Sequence, residues 1–154
     1  MKKDIFIDNN IAKNFSNPMD PEYKSLIQWL MAFNPGNPEN AYLVVSQKLL
    51  GEYSRTSPPS LKFNIWAIIN QFIREGRLIK KTNEEIKEFQ RQCFTKKRIK
   101  DLRCNNEDHC HIATVLLSDR KYALSLDDNF IYDLRSFPRF KVKVEKRPED
   151  LPYR

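Results

Sequence analysis

Residues 5–10 read Ile5-Phe6-Ile7-Asp8-Asn9-Asn10. Three consecutive apolar residues closed by a polar turn are the pattern of a short, fully buried strand, here a central one. The rest of the chain is then expected to cover both faces of that strand.

Apolar residues recur at helical spacing across residues 22–33, at Leu26, Trp29, Leu30 and Phe33, until Asn34-Pro35-Gly36-Asn37-Pro38 breaks the helix. A brief β-prone run from Tyr42 to Val45 leads to Ser46 as a helix N-cap. A helix with Leu49, Leu50 and Tyr53 on its apolar stripe follows, ended by Ser57-Pro58-Pro59-Ser60. Residues 61–74 carry Ile65, Ile68, Ile69, Phe72 and Ile73 on one face, the clearest amphipathic pattern in the chain, and Glu75-Gly76 stops it.

Two more helices are expected over residues 83–92 and 106–117, each opening on asparagine with acids in the first turn. Between them lies the densest basic segment, Lys96-Lys97-Arg98-Ile99-Lys100 with Arg103. Strand patterns at 122–126 and 141–144 flank a helical turn near Phe130 to Leu134. Strands alternating with helices predict an α/β domain with a mostly parallel sheet over residues 1–145, and 146–154 read as a flexible tail.

The 154 residues suffice for one buried core and leave little room for a second domain. With 40% hydrophobic and 12% aromatic residues, a disordered chain is excluded. The 27 basic residues against 20 acidic ones, a charge of +7, call for an anionic partner without choosing among nucleic acid, a membrane surface or an acidic protein. No apolar run approaches the roughly 20 residues of a membrane span, so neither an anchor nor a signal peptide is expected. The odd set Cys93, Cys104 and Cys110 reads as reduced thiols in a cytoplasmic protein.

In an open parallel sheet, ligands bind beyond the carboxyl ends of the strands. Asp8 ends the first apolar strand and Asp127 ends Ala123-Leu124-Ser125-Leu126, so if the two strands are parallel neighbours both carboxylates project from one edge. Each also suits a bland role as a turn or helix cap. Asp108 precedes Ile112, Val115 and Leu116 by four, seven and eight residues, which places it on the inward stripe of its helix, although a first-turn acid also complements the helix dipole. Glu52 lies at the margin of its helix's apolar face, where position alone favours a solvated surface acid.

Were the four to converge, two carboxylates about 4 Å apart would repel by about 4 kcal/mol at an effective dielectric near 20. A divalent cation relieves this, and oxygen-only ligands suit Mg²⁺ or Mn²⁺.

The order of residues, apolar-apolar-Asp8-x-Asn10-Ile11, Leu50-Gly51-Glu52-Tyr53, Asp108-x-x-x-Ile112-Ala113 and Ser125-x-Asp127-x-x-Phe130, resembles the PIN-domain nucleases, which include the VapC-type toxins of toxin–antitoxin pairs. The resemblance runs from residue 4 to about 144. It implies a three-layer α/β/α sandwich and an Mg²⁺- or Mn²⁺-dependent endoribonuclease that hydrolyses RNA through a metal-activated water. It further implies Asp8, Glu52, Asp108 and Asp127 as catalytic metal ligands, supported by Asn10, Ser125 and Asp128, with an antitoxin protein and a second copy of the chain as partners. Asn9 departs from the Ser or Thr common there, and His109-Cys110-His111 stands where small or apolar residues usually follow the third acid.

Lys96, Lys97, Arg98, Lys100 and Arg103 are candidates for holding the RNA backbone, against the ordinary reading of a charge run as a solvated face. Zinc is disfavoured, because Cys104, His109, Cys110 and His111 match no usual ligand spacing and two histidines two residues apart cannot share a helix face. The alternative function is a PIN-like module that binds nucleic acid or a partner protein without turnover.

Overall fold

The computed structural model describes residues 1–154. The chain runs from strand β1 (Lys3–Ile7) through the short helix α1 (Asn9–Ala12) to helix α2 (Pro21–Met31) and strand β2 (Ala41–Ser46). Helices α3 (Gln47–Thr56) and α4 (Ile65–Arg74) lead to β3 (Leu78–Lys81). Then come α5 (Asn83–Cys93), α6 (Lys96–Asp101) and α7 (His109–Leu117). The last elements are β4 (Tyr122–Leu124), α8 (Asp128–Ser136) and β5 (Lys143–Glu145).

All strand pairs are parallel, in the order β3-β2-β1-β4-β5. β1 is the central strand its sequence predicts, and Ile5, Phe6 and Ile7 are wholly buried. Parallel strands joined by right-handed crossovers put helices on both faces. The crossovers β1→β2→β3 run one way along the sheet, bringing α2 and α4 against β2. Those returning to β4 and β5 run the other way, bringing α5, α7 and α8 together. The result is the three-layer α/β/α sandwich. The direction of winding reverses between β1 and β4, the point at whose carboxyl edge open parallel sheets place their ligands.

Local chemistry starts most of these helices. Ser46 Oγ accepts from Leu49 N, Asn64 from Trp66 N, and Thr82 with Glu85 forms a reciprocal capping box. No helix is long and apolar enough to cross a membrane.

The structure adds to or departs from the sequence reading at several points. The segment after Gly76 is a strand, β3, whose two lysines in four residues hide its β character; lysines suit the exposed edge that β3 occupies. The basic segment is partly helical, as α6, capped by Thr95. Residues 106–108 form a 3₁₀ turn, so α7 begins only at His109. Ile73 is 59% exposed, and Phe33 lies beyond the end of α2.

Finally, residues 146–154 pack against the domain. Leu151 and Tyr153 are buried, Tyr153 stacks on Trp29 at 4.9 Å, and Arg120 donates to the Tyr153 carbonyl at 2.8 Å. With Pro148 also buried, three apolar side chains outweigh the charged composition of the segment. Trp29, Trp66 and Phe72 all pack against the chain's own core.

Candidate metal centre at the sheet switch point

Asp8 and Ser125 emerge side by side from β1 and β4, because the register pairs Ile7 with Leu124 and Asp8 N donates to the Leu124 carbonyl at 2.9 Å. Ser125 Oγ donates to Asp8 Oδ2 at 2.7 Å and accepts from Asp127 N at 3.1 Å, so one hydroxyl links the Asp8 carboxylate to the Asp127 backbone. Asn10 spans the same gap: its Oδ1 accepts from Leu126 N at 3.0 Å, and its Nδ2 lies 3.4 Å from Asp8 Oδ2.

Both aspartates fill the capping roles their positions suggested. Asp8 Oδ1 accepts from Asn9 N at 2.8 Å at the start of α1. Asp127 Oδ1 accepts from Asn129 N and Phe130 N at the start of α8, while its Oδ2 takes no hydrogen bond. Capping and site membership are compatible, since each cap uses one oxygen and leaves the other directed elsewhere.

Glu52 is not the solvated acid that position favoured. Its side chain is 19% exposed, and its two oxygens lie 3.0 and 2.9 Å from Nε2 of His111 on α7. Asp108, half-buried where the 3₁₀ turn meets α7, receives no hydrogen bond at either oxygen. One ligand atom each of Glu52, Asp108 and His111 lies within 4.8 Å of the others.

The electrostatics follow from this crowding. Burial pushes the Asp8 carboxyl above its usual range, against the pull of the Ser125 hydrogen bond and His111, and Glu52 adds to the rise. Burial likewise raises Asp108, with the charges of Asp127 and Glu52 reinforcing it. Burial also works to raise Glu52, but the hydrogen bond and charge of His111 prevail and its carboxyl is lowered. The four carboxylates are thus linked through one another's charge at this edge of the sheet, Asp108 without a donor, and Glu52, Asp108 and His111 bring ligand atoms closest together. That is an anionic oxygen donor set that a hard divalent cation fits.

His111 was missed as a member of this group. Its signal was available: three residues after Asp108, it shares that residue's side of the chain once a helix begins there. The other members of the supposed zinc set point elsewhere. His109 packs on Phe94, Cys110 Sγ meets Ser46 Oγ at 3.9 Å, and Cys104 is buried behind Asp133.

Asp128 stands outside the cluster, 82% exposed and paired with Lys146 at 2.6 Å. In the basic segment, Arg98 lies by Asp101 and over the Phe137 ring, and Arg103 stacks on Tyr132 at 3.4 Å. Lys96, Lys97 and Lys100 are exposed and carry no ion pair.

No protein-family model matches the sequence, and no curated protein does. Among solved structures, a chain in the crystal structure of VapBC2 from Rickettsia felis bound to a DNA fragment from their promoter is similar. The TM-score is 0.58 at 15% identity, covering 92% of this chain and 97% of that chain. At that identity the likeness is one of fold: the chain is a PIN-like α/β/α sandwich whose acidic crevice lies at the sheet's switch point.

Proposed function

We propose that the protein is a metal-dependent endoribonuclease that hydrolyses RNA phosphodiester bonds, with Mg²⁺ or Mn²⁺ held by Asp8, Glu52, Asp108 and Asp127, and that it serves as the toxin of a toxin–antitoxin pair. The observation that carries the reading is the convergence of four acids from four separate segments on one crevice, where Asp108 has no protein donor. The toxin role draws support from the fold shared with a chain of the VapBC2 structure.

A divalent ion in this crevice would offset the mutual repulsion of the acids, promote ionisation of a water and stabilise charge on the leaving oxygen. The chain supplies the rest. Ser125 and Asn10 fix the orientation of Asp8, and the cap at α8 fixes Asp127. Asp108, with a raised proton affinity and free oxygens, is placed to take the proton of the attacking water. Water is the nucleophile, since the Tyr53 hydroxyl is buried on the Ile7 carbonyl and Ser125 is engaged by Asp8. Lys96, Lys97 and Lys100, with Arg98 and Arg103, hold the RNA backbone. Setting the four site acids aside leaves 27 bases against 16 acids to attract it.

The test incubates the protein with mixed RNA and Mg²⁺ or Mn²⁺, beside Asp8→Asn. Cleavage by wild type alone supports the reading. Equal cleavage by both overturns it, and RNA binding without cleavage by either assigns the non-catalytic module instead. In the same assay, Lys96→Ala with Lys97→Ala should flatten the salt dependence of binding by about 0.7 per lost phosphate contact on single-stranded RNA.

A further inference from the structure

His111 is one of only two histidines in the chain, and its ring is 2% exposed. It lies between Phe6, with ring centres 5.6 Å apart, and Phe130, at 6.5 Å. These aromatic contacts hold the ring on its apolar side, where Nδ1 is buried without a partner. The ring's polar contact is with the acid cluster: Nε2 sits 2.9 and 3.0 Å from the Glu52 oxygens, and the donor atoms of Glu52, Asp108 and His111 fall within 4.8 Å of one another.

A purely carboxylate site suits Mg²⁺, which prefers oxygen and keeps much of its water. An imidazole nitrogen favours the first-row transition ions. We propose that His111 is a nitrogen ligand of the divalent ion at this centre, and that it makes the centre select a transition ion such as Mn²⁺ over Mg²⁺. This rests on the reading of the crevice as a metal centre, and it assigns both a ligand and an ion preference that the four acids alone do not give.

The experiment uses the full chain without RNA. Titration calorimetry measures Mn²⁺ and Mg²⁺ binding, and pulsed electron paramagnetic resonance of the Mn²⁺-loaded protein looks for modulation by an imidazole ¹⁴N. Wild type should bind Mn²⁺ more tightly than Mg²⁺ and show the modulation, and His109→Gln should retain it. His111→Gln should lose it and weaken Mn²⁺ by about tenfold or more, since even outer-shell partners of a ligand are worth that much, while Mg²⁺ affinity changes far less. If Asp108→Asn abolishes binding of both ions but wild type shows no ¹⁴N modulation, His111 only braces Glu52 and this inference falls while the metal centre stands. If wild type binds neither ion, the metal-centre reading itself falls. Should His111→Gln not fold, the wild-type spectrum decides.

Discussion

Asp4 and Asp133 are buried more deeply than any acid of the crevice, at 1% and 0% exposure. Yet both are fully served by backbone donors. Asp4 accepts from Asp119 N and Arg120 N, each at 2.8 Å. Asp133 accepts from Arg103 N and Cys104 N, also at 2.8 Å, pinning the end of the basic segment onto α8. At the carboxyl edge of the sheet the acids are less buried but worse served, and they face one another. Depth of burial therefore does not single out the acids of the candidate site. What separates the crevice from the two structural acids is convergence of like charge with hydrogen-bonding capacity left over.

The comparison can be broken at its strongest point by exchanging charge for amide on either side of it. Asp108→Asn should lower the RNA cleavage rate by about 10²–10³-fold, the usual loss when a group that stabilises transition-state charge is removed. The melting temperature of the metal-free variant should hold or rise, as a repelling charge is gone. Metal binding sharpens the same contrast. At a hundred times its dissociation constant, Mn²⁺ should stabilise the wild type by about 2.7 kcal/mol in thermal melts and Asp108→Asn hardly at all.

Asp133→Asn should show the reverse pattern. Replacing a charged acceptor of two backbone N–H groups should cost about 2 kcal/mol, read as a fall of several degrees in melting temperature, with the cleavage rate per folded molecule unchanged. Loss of cleavage in a fully folded Asp133→Asn would erase the distinction between the two kinds of acid. Asp127 belongs to both kinds, so its variants should separate. Asp127→Ala should be less stable than Asp127→Asn by about 1 kcal/mol, because asparagine still caps α8, and both should be inactive.

The smallest effect is in pH. Asp108 has a folded value raised above 3.8, so its contribution to stability is present below that value and is lost as pH rises through the folded one. Asp108→Asn escapes the loss, and its advantage over wild type in chemical denaturation should grow from acid to neutral pH. Glu52 works in the opposite sense. Its value is lowered below 4.5, so its stabilising bond to His111 is present at neutral pH and is lost on acidification. A Glu52→Gln variant should therefore approach wild-type stability in acid.

Local pattern made much of the fold legible. The uninterrupted Ile5-Phe6-Ile7 marked the central strand, the Ile65 to Phe72 stripe marked α4, and Ser46 marked the start of α3. Asp8 and Asp127 were legible as candidates because residues that end apolar strands in a parallel sheet reach its carboxyl edge. The same local signals missed β3, where edge lysines mask a strand, and misjudged residues 146–154, where three buried residues outweigh six others.

What the sequence by itself determined was most of the elements and the list of acids, since both follow from periodicities and caps that span a few residues. What only the tertiary structure decided was which acids meet. Ser125 finds Asp8 across 117 positions and His111 finds Glu52 across 59, and no local pattern encodes such pairings. The sheet's change of winding direction between β1 and β4 opens the crevice, and packing of α7 against β2 carries His111 to its side. Glu52 changes from a surface acid into a member of a charged cluster for that reason alone.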